Sequence, residues 1–298
     1  MVTKRNIRRD RAEETLTAYA MILPDALGLL IFVFAPIIYA FYVSLHKWNG
    51  LKEMKFIGVS NYIKMFSDEH FWLSIWITIK YALIYVPSIF CFALLFALLV
   101  HSIKGKMQQF YRIIYFIPYA ISTVVAALIW TFMYDPMRGY LNAALKFAGI
   151  ESQNFLASTT QALPSVAVVG IWLVLGYNMV LFLAALKDIP QSYFEAADID
   201  GANSLQKFFS ITLPLLKETS LFVVIVTTIG SFQAFDQIKV MTNGGPALAT
   251  NVTVFYIFRQ AFEISKLGYS SAIAFILFII IMVLTLIQLK AFSKAEID

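Results

Sequence analysis

The chain has 298 residues, of which 60% are hydrophobic and only 14% are charged, and its formal net charge is +5. Soluble domains are about 45–50% apolar and about 25% charged. This chain therefore carries more apolar surface than a water-soluble core can bury, and it is predicted to be an integral membrane protein. Its basic residues are spread through short polar segments, which argues against nucleic-acid binding. The single cysteine, Cys91, excludes an internal disulfide and is interpreted as a packing residue.

Six apolar stretches are long enough to cross a membrane. A helix rises about 1.5 Å per residue, so about 20 apolar residues cross the roughly 30 Å of hydrocarbon, and a helix satisfies its own backbone there. The predicted spans are residues 17–44, 71–101, 111–134, 162–186, 211–235 and 269–292. The expected fold class is therefore an all-α membrane protein with six transmembrane helices. Pro24, Pro36, Pro87 and Pro118 are expected to kink or interrupt helices locally.

Lys and Arg predict the orientation, because they concentrate on the cytoplasmic side of short loops. Several precede the first span, and Lys104, Lys106 and Arg112 surround the second connection. Both termini are therefore expected in the cytoplasm. The expected organisation is a basic N-terminal segment, residues 1–16, a membrane domain, residues 17–292, and a C-terminal segment, residues 293–298. The first apolar stretch lacks a small-residue cleavage site, so it is expected to remain as a span.

The most informative segment, residues 190–214, lies between the fourth and fifth predicted spans, on the cytoplasmic side. It reads Glu195-Ala196-Ala197-Asp198-Ile199-Asp200-Gly201-Ala202 and ends in Ile211-Thr212-Leu213-Pro214. Ser192 and Glu195 have the spacing of a capping box, so a short surface helix is expected to begin there. Gly201 suits the end of that helix. A second helical piece is expected over residues 204–210, and Pro214 suits the first turn of the fifth span.

This order of residues resembles the EAA signature of the permeases of binding-protein-dependent ABC importers. The resemblance implies a type I importer permease fold with a cytoplasmic coupling helix that sits in a groove of an ATPase. It implies that Glu195 makes a polar contact with the ATPase and that small residues allow a close fit. The coupling residues are then Glu195, Ala196, Ala197, Asp200, Gly201 and Pro214. The alternative is an amphipathic interfacial helix that only connects two spans.

Three further motifs resemble the carbohydrate branch of that family, and the resemblance covers nearly the whole chain. They are residues 56–62 followed by Phe66 and Asp68, residues 116–120, and the glycine-rich stretch 242–246. The resemblance implies a sugar importer in a prokaryotic plasma membrane. Its implied partners are a second homologous permease, two copies of a cytoplasmic ATPase, an extracytoplasmic solute-binding protein, the sugar and the lipid bilayer. ATP and Mg are then bound by the ATPase, and this chain carries no cofactor, metal or covalent chemistry.

The same resemblance gives candidate sugar-binding residues, which are Tyr119, Thr123, Leu173, Val174, Tyr177 and Ser231, with Gln233, Phe235 and Asp236 on neighbouring positions. Aromatic faces and neutral hydrogen-bonding groups are suited to sugar rings and hydroxyls. Several of these residues differ from those of maltose-type permeases, so maltose itself is not expected. The alternative for each tyrosine is an ordinary packing role.

Two other functions stay open at this point. A permease for a phosphorylated solute such as glycerol phosphate needs cationic side chains, and Lys80 is the only basic residue well inside a predicted span. A secondary transporter driven by an ion gradient would ordinarily show internal repeats and intramembrane ion ligands, and it would leave the segment around Glu195 unexplained. The chain has no GxxxxGK[ST] motif, so ATP hydrolysis is expected on another polypeptide.

Overall fold

The computed structural model describes the backbone of residues 4–294 and the side chains of residues 14, 15 and 17–292. The ends of the two predicted cytoplasmic segments, residues 1–3 and 295–298, lie outside the described residues. The helices are α1 (Lys4–Leu29), α2 (Ala35–Ser44), α3 (Ser60–Phe66), α4 (Glu69–Ser102), α5 (Lys106–Phe116), α6 (Thr123–Met133), α7 (Tyr140–Phe147), α8 (Ala162–Asp188), α9 (Gln191–Ile199), α10 (Ser204–Lys207), α11 (Leu213–Leu215), α12 (Lys217–Phe232), α13 (Asp236–Met241), α14 (Thr253–Phe258) and α15 (Leu267–Lys294). A short antiparallel pair joins β1 (His46–Lys47) to β2 (Lys55–Phe56).

Five short turns complete the regular structure of the described residues. Three are π-helical turns that continue neighbouring helices, at Leu30–Phe34, Phe208–Thr212 and Arg259–Glu263. Two are 3₁₀ turns, at Ile117–Ala120 and Phe155–Ala157.

Four spans are continuous by length and hydropathy, and two are bent. The continuous spans are Thr17–Ser44, Glu69–Ser102, Ala162–Asp188 and Leu267–Phe292. The bent spans are Lys106–Ala120 with Thr123–Met133, at 96°, and Ser204–Leu215 with Lys217–Phe232, at 67°. Counting each bent pair as one span gives the six spans predicted from the sequence, and the all-α class is confirmed.

The predicted third span, residues 111–134, is not one continuous helix in the structure. Helix α5 gives way to the 3₁₀ turn that holds Pro118, and Ile121 is then extended, with ψ 139°. Proline lacks the N–H that would continue the α-helical ladder. The chain therefore turns sharply before α6 begins at Thr123.

The fifth span also differs from the prediction. It begins at Ser204 instead of residue 211, because nothing stops the helix between α10 and α11. Pro214 therefore lies two residues before the bend at Leu216, and not in the first turn of a straight span. The π-helical turn Phe208–Thr212 directly precedes the proline segment, and such turns accommodate a locally interrupted hydrogen-bond ladder.

The described chain divides into two compact units. The first contains the residues up to Ser67 together with Gln260–Phe275. In it, the Asn61 amide nitrogen donates to the carbonyl oxygens of Ser44, at 2.7 Å, and His46, at 2.9 Å. Asn61 thus satisfies carbonyl groups at the end of the first span, which a helix end otherwise leaves without partners.

The start of the last span completes this unit. The Gly268 N–H donates to the Trp48 carbonyl at 3.1 Å. A Cβ atom at Gly268 would lie 1.9 Å from the carbonyl oxygen of His46, so only glycine allows this approach. The first span itself is exposed along its length, since only 6% of its most apolar window is buried.

The second unit contains Asp68–Arg259 and the residues from Ile276 onward. Its centre is the packing of α4 along α8. The approach is close at Gly170, where a Cβ atom would lie 2.7 Å from the Tyr81 hydroxyl. Helix α5 also approaches α8 closely, at Gly176, where a Cβ atom would lie 1.8 Å from the Tyr115 carbonyl oxygen. Small residues that allow such approach are typical of membrane helix packing.

Candidate solute cavity and coupling segment

A cavity of about 290 Å³ lies in the second unit at the end of the fifth span, where the helix is interrupted. Helix α12 ends at Phe232 and α13 begins at Asp236, and the backbone of Phe235 between them is not helical, with φ −139° and ψ −58°. Helices α4, α6 and α8 supply the other walls. Interrupted helices at membrane depth are tolerated where they line a cavity, and they are a common way to build a solute site.

Most of the predicted sugar-binding residues line this cavity. They are Thr123, Leu173, Val174, Gln233, Phe235 and Asp236. The interruption leaves the side chains of Gln233 and Asp236 exposed, whereas Leu173 is buried in its wall. The structure thus brings together residues from three predicted spans.

Three predicted residues lie outside the cavity lining. Tyr119 and Tyr177 stack on each other at the break of the third span. Ser231 is fully buried, and its hydroxyl donates to the Thr228 carbonyl of its own helix at 2.7 Å. A role for these three residues in solute binding stays a prediction.

Sequence reasoning missed other lining residues, which are Tyr85, Gly170, Gly230, Ala234 and Gln237. Gln237 is buried, and its amide nitrogen donates to the Tyr81 hydroxyl at 3.0 Å. An amide inside a span needs a partner, and that signal was available in the sequence. Using it required knowing where the helix resumes after Phe235.

The cavity offers neutral polar groups and one carboxylate. Thr123 contributes a hydroxyl, and Gln233 and Gln237 contribute amides. Asp236 is the charged residue among the described residues that line the cavity, and the lining contains no Lys, Arg or His. This arrangement can hydrogen-bond hydroxyl groups, but it offers no positive charge to a phosphate.

The predicted surface helix exists as α9, but its N-cap lies two residues earlier than expected. Gln191 is its first residue and Pro190 is the N-cap, without a side-chain cap. The expected capping box of Ser192 and Glu195 is therefore wrong. The proline already occupies the N-cap position with an extended backbone, so Ser192 lies inside the helix and Glu195 projects as an exposed side chain.

The end of α9 at Gly201 is confirmed. Gly201 has φ +73°, its N–H donates to the Asp198 carbonyl, and the Ala202 N–H donates to the Ala197 carbonyl. This pair of bonds is a Schellman motif, for which glycine in the left-handed conformation is strongly preferred. A Cβ atom at Gly201 would meet nothing within 4 Å in this chain.

A capping box does occur one helix later. The Asn203 side chain accepts from the Gln206 N–H, and the Gln206 side chain accepts from the Asn203 N–H. Lys207 then forms an ion pair with Asp198 of α9. These contacts fix the short connection between α9 and the fifth span.

The predicted coupling residues present an open surface. The exposed members are Glu195, Ala196, Asp200, Gly201 and Pro214. Ala197 is half-buried. Their role in coupling stays a prediction at this point.

The glycine-rich stretch 242–246 forms a tight turn after α13. The Thr242 and Thr250 hydroxyls are 2.7 Å apart, and the Thr250 hydroxyl donates to the Gly245 carbonyl. Gly244 has φ +82°, and a Cβ atom there would lie 2.4 Å from the Phe255 ring. Both the backbone and the packing therefore require glycine at this position.

The family model of the binding-protein-dependent transport system inner membrane component matches residues 89–295, which include the cavity elements and α9. The chain belongs to this family. The recognition of a permease of binding-protein-dependent importers from the sequence is therefore confirmed, and this permease is a multi-pass inner-membrane component.

Curated relatives extend the similarity over nearly the whole permease. The chain is 35% identical to the probable ABC transporter permease protein YurN of Bacillus subtilis, over 95% of this chain and 98% of the relative. It is 33% identical to the trehalose/maltose transport system permease protein MalF of Thermococcus litoralis, over 93% and 94%. It is also 33% identical to the sn-glycerol-3-phosphate transport system permease protein UgpA of Shigella flexneri, over 91% and 92%.

A solved structure has the same fold. A chain of a bacterial alginate ABC transporter, crystallised in complex with an alginate pentasaccharide-bound periplasmic protein, superposes with a TM-score of 0.81. The match covers 95% of this permease and 94% of that chain, at 24% identity. This likeness confirms the fold of the chain.

Proposed function

We propose that this permease is one of two membrane subunits of an ATP-driven importer of a carbohydrate, and that it forms half of the translocation pathway. The cavity at the interrupted fifth span carries the proposal, because it gathers hydroxyl, amide and carboxylate groups beside apolar walls. Such groups match the hydroxyls and ring faces of a sugar. A relative named for trehalose and maltose transport adds support.

The proposed assembly contains a second homologous permease, two cytoplasmic ATPase subunits that bind ATP and Mg, and an extracytoplasmic solute receptor. The chain itself performs no covalent chemistry, and both of its termini lie in the cytoplasm. Closure of the ATPases moves α9, the pathway opens outward, the receptor delivers the sugar to the cavity, and hydrolysis resets the pair. Support for the role of α9 comes from its exposed surface at Glu195 and Gly201.

A phosphorylated solute is the second candidate, and the relative named for sn-glycerol-3-phosphate transport favours it. The absence of a cationic side chain among the described residues lining the cavity opposes it, because a phosphate needs charged partners. An ion-coupled secondary transporter is a different class of protein from the family of this chain.

The test reconstitutes both permeases, the ATPase and a candidate receptor in proteoliposomes, and it measures ATP hydrolysis and uptake with neutral sugars and with glycerol 3-phosphate. Stimulation by a neutral oligosaccharide is expected. Stimulation by glycerol 3-phosphate alone would favour the second candidate, and uptake without ATP would remove the proposal.

Gly201→Asp tests the coupling helix in the same assay, with Gly201→Asn as its matched control. Both side chains tolerate the left-handed backbone better than most, and the Cβ atom that each adds would meet nothing within 4 Å in this chain. Loss of solute-stimulated hydrolysis in both variants is expected, because each fills the space that an ATPase groove needs. Loss in Gly201→Asp alone would indicate repulsion by charge, and full stimulation in both would exclude coupling at this surface.

A further inference from the structure

The largest cavity described in the first unit is unrelated to the solute cavity. It has a volume of about 540 Å³ and is lined by five lysines, Lys47, Lys52, Lys55, Lys64 and Lys266, against a single acidic residue, Glu53. We refer to it as the lysine pocket. None of the five lysines forms an ion pair with an acidic side chain of the described residues. The pocket therefore has an excess of positive charge, which Glu53 offsets only in part.

The lysine pocket lies at the level where the membrane ends. Helix α2 ends at Ser44, three residues before Lys47, and α15 begins at Leu267, directly after Lys266. Both helices belong to spans. Side chains this close to the ends of two spans lie at the depth of lipid headgroups, where Lys reaches phosphate groups and aromatic rings are enriched. Trp48 and Tyr269 line the same pocket.

Apolar side chains project from the same loop. Leu51, Phe56, Val59 and Ile63 are each at least 61% exposed. They are interspersed along the chain with Lys52, Lys55 and Lys64 of the pocket. A segment that exposes apolar and basic side chains together is typical of one lying in the membrane interface, with its apolar groups among the acyl chains and its charges at the headgroups.

The pocket is also held in place. Tyr269 and Asn61, both buried, form its inner wall, and the Lys64 ammonium lies 5.3 Å from the centre of the Tyr269 ring. The Trp48 indole N–H donates to the Lys52 carbonyl at 3.0 Å. These contacts hold the Lys64 side chain and the backbone of Lys52 in defined positions at the pocket.

We propose that the lysine pocket binds the phosphate headgroup of an anionic phospholipid, such as phosphatidylglycerol. A phosphate accepts several charge-assisted hydrogen bonds from ammonium groups, and five lysines around one cavity can surround such a headgroup. The exposed apolar side chains favour a lipid over a soluble phosphate compound or an acidic protein segment, because only a lipid uses both the charged and the apolar surface.

The test is a titration of the delipidated transporter complex with phosphatidylglycerol and with phosphatidylcholine, followed by native mass spectrometry. The wild type is expected to bind phosphatidylglycerol more tightly. The triple variant Lys52→Gln, Lys55→Gln, Lys266→Gln is expected to weaken that binding by about tenfold or more, because it removes three of the five ammonium groups that can donate to the phosphate. The matched control, Lys104→Gln, Lys106→Gln, Lys146→Gln, removes three exposed lysines outside the pocket and is expected to bind as the wild type does.

Four results would overturn the proposal. Equal affinity for the two lipids, or an unchanged affinity in the pocket variant, would show that the pocket does not select an anionic headgroup. Displacement of the lipid by glycerol 3-phosphate would assign the pocket to a soluble phosphorylated compound. Loss of receptor-stimulated ATP hydrolysis with unchanged lipid binding would make the pocket a receptor-docking surface. An unchanged melting temperature shows that the variants are folded.

Discussion

Tyr119 and Tyr177 stack nearly parallel, with their ring centroids 4.7 Å apart and an interplanar angle of 15°. Tyr119 belongs to the 3₁₀ turn that breaks the third span, and Tyr177 belongs to α8. Tyr119 is 45% exposed, so much of its ring remains open. The pair joins the broken span to α8 and presents an aromatic face of the kind that packs against sugar rings.

Removing the Tyr177 ring is expected to weaken solute binding. Tyr177→Ala removes one ring of this aromatic face, and loss of a ring contact with the sugar of about 0.5–1.5 kcal/mol would raise the KM for uptake roughly two- to tenfold. Tyr177→Phe keeps both rings and should stay within about twofold of the wild type. Uptake by proteoliposomes measures both. An unchanged KM in Tyr177→Ala would restrict the pair to packing.

Substitution of glycine by alanine is expected to destabilise the protein at Gly176 but not at Gly230. Gly176→Ala places a methyl group 1.8 Å from the Tyr115 carbonyl oxygen, and overpacking of this kind costs about 1–3 kcal/mol. Gly230→Ala has open space around the added atom and gains helix propensity of up to about 1 kcal/mol. The melting temperature of the purified complex should fall in the first variant only. A similar fall in both would contradict the close approach at Gly176.

Glu195 and Asp198 lie on the same short helix but are expected to differ in importance. Asp198 pairs with Lys207 and is 64% exposed, and such surface pairs contribute at most about 1 kcal/mol. Asp198→Asn should therefore leave solute-stimulated ATP hydrolysis within about twofold. Glu195→Gln should lower it by about tenfold, since hydrogen bonds to charged groups contribute about 1.5–3 kcal/mol. Equal effects of the two variants would mean that the helix does not contact the ATPase through Glu195.

The stability of the segment after α6 is expected to depend on pH because of the Asp135 carboxylate. This carboxylate accepts from the backbone N–H groups of Arg138 and Met137, at 2.7 and 2.9 Å, and these bonds hold its pKa below the usual value. The stabilisation is fully present above the ordinary pKa of about 4 and is lost as the pH falls through the lowered one. Protection of these two amides against hydrogen exchange should follow that course. Asp135→Asn, which does not titrate, should show no such step.

The coupling segment shows how far local sequence signals reach. Gly201 identified the end of α9 because a Schellman motif requires one particular backbone conformation. The beginning was missed because Ser192 and Glu195 share their spacing with the real capping box of Asn203 and Gln206. Spacing alone does not distinguish an N-cap from a position inside the helix, and here the proline at position 190 decided between them.

The cavity was only partly predictable for a different reason. Hydropathy measures the length of an apolar stretch, but it carries no information about its direction, so the bends near Pro118 and Leu216 were not expected. A shift of one residue in a helix turns a side chain by about 100°. The interruption between Phe232 and Asp236 therefore decides that Gln237 faces the cavity and that Ser231 does not.

The hydrogen bonds of Asn61 and Gly268 also set the order in which these contacts can form during biosynthesis. The carbonyl groups at the end of the first span receive their side-chain partner only after residue 61 has been made. The loop beyond them reaches its final contact only when residue 268 emerges, near the end of translation. The contacts that join the first and last spans can therefore form only when nearly the whole chain has been synthesised, so the first span enters the membrane before its packing partner exists.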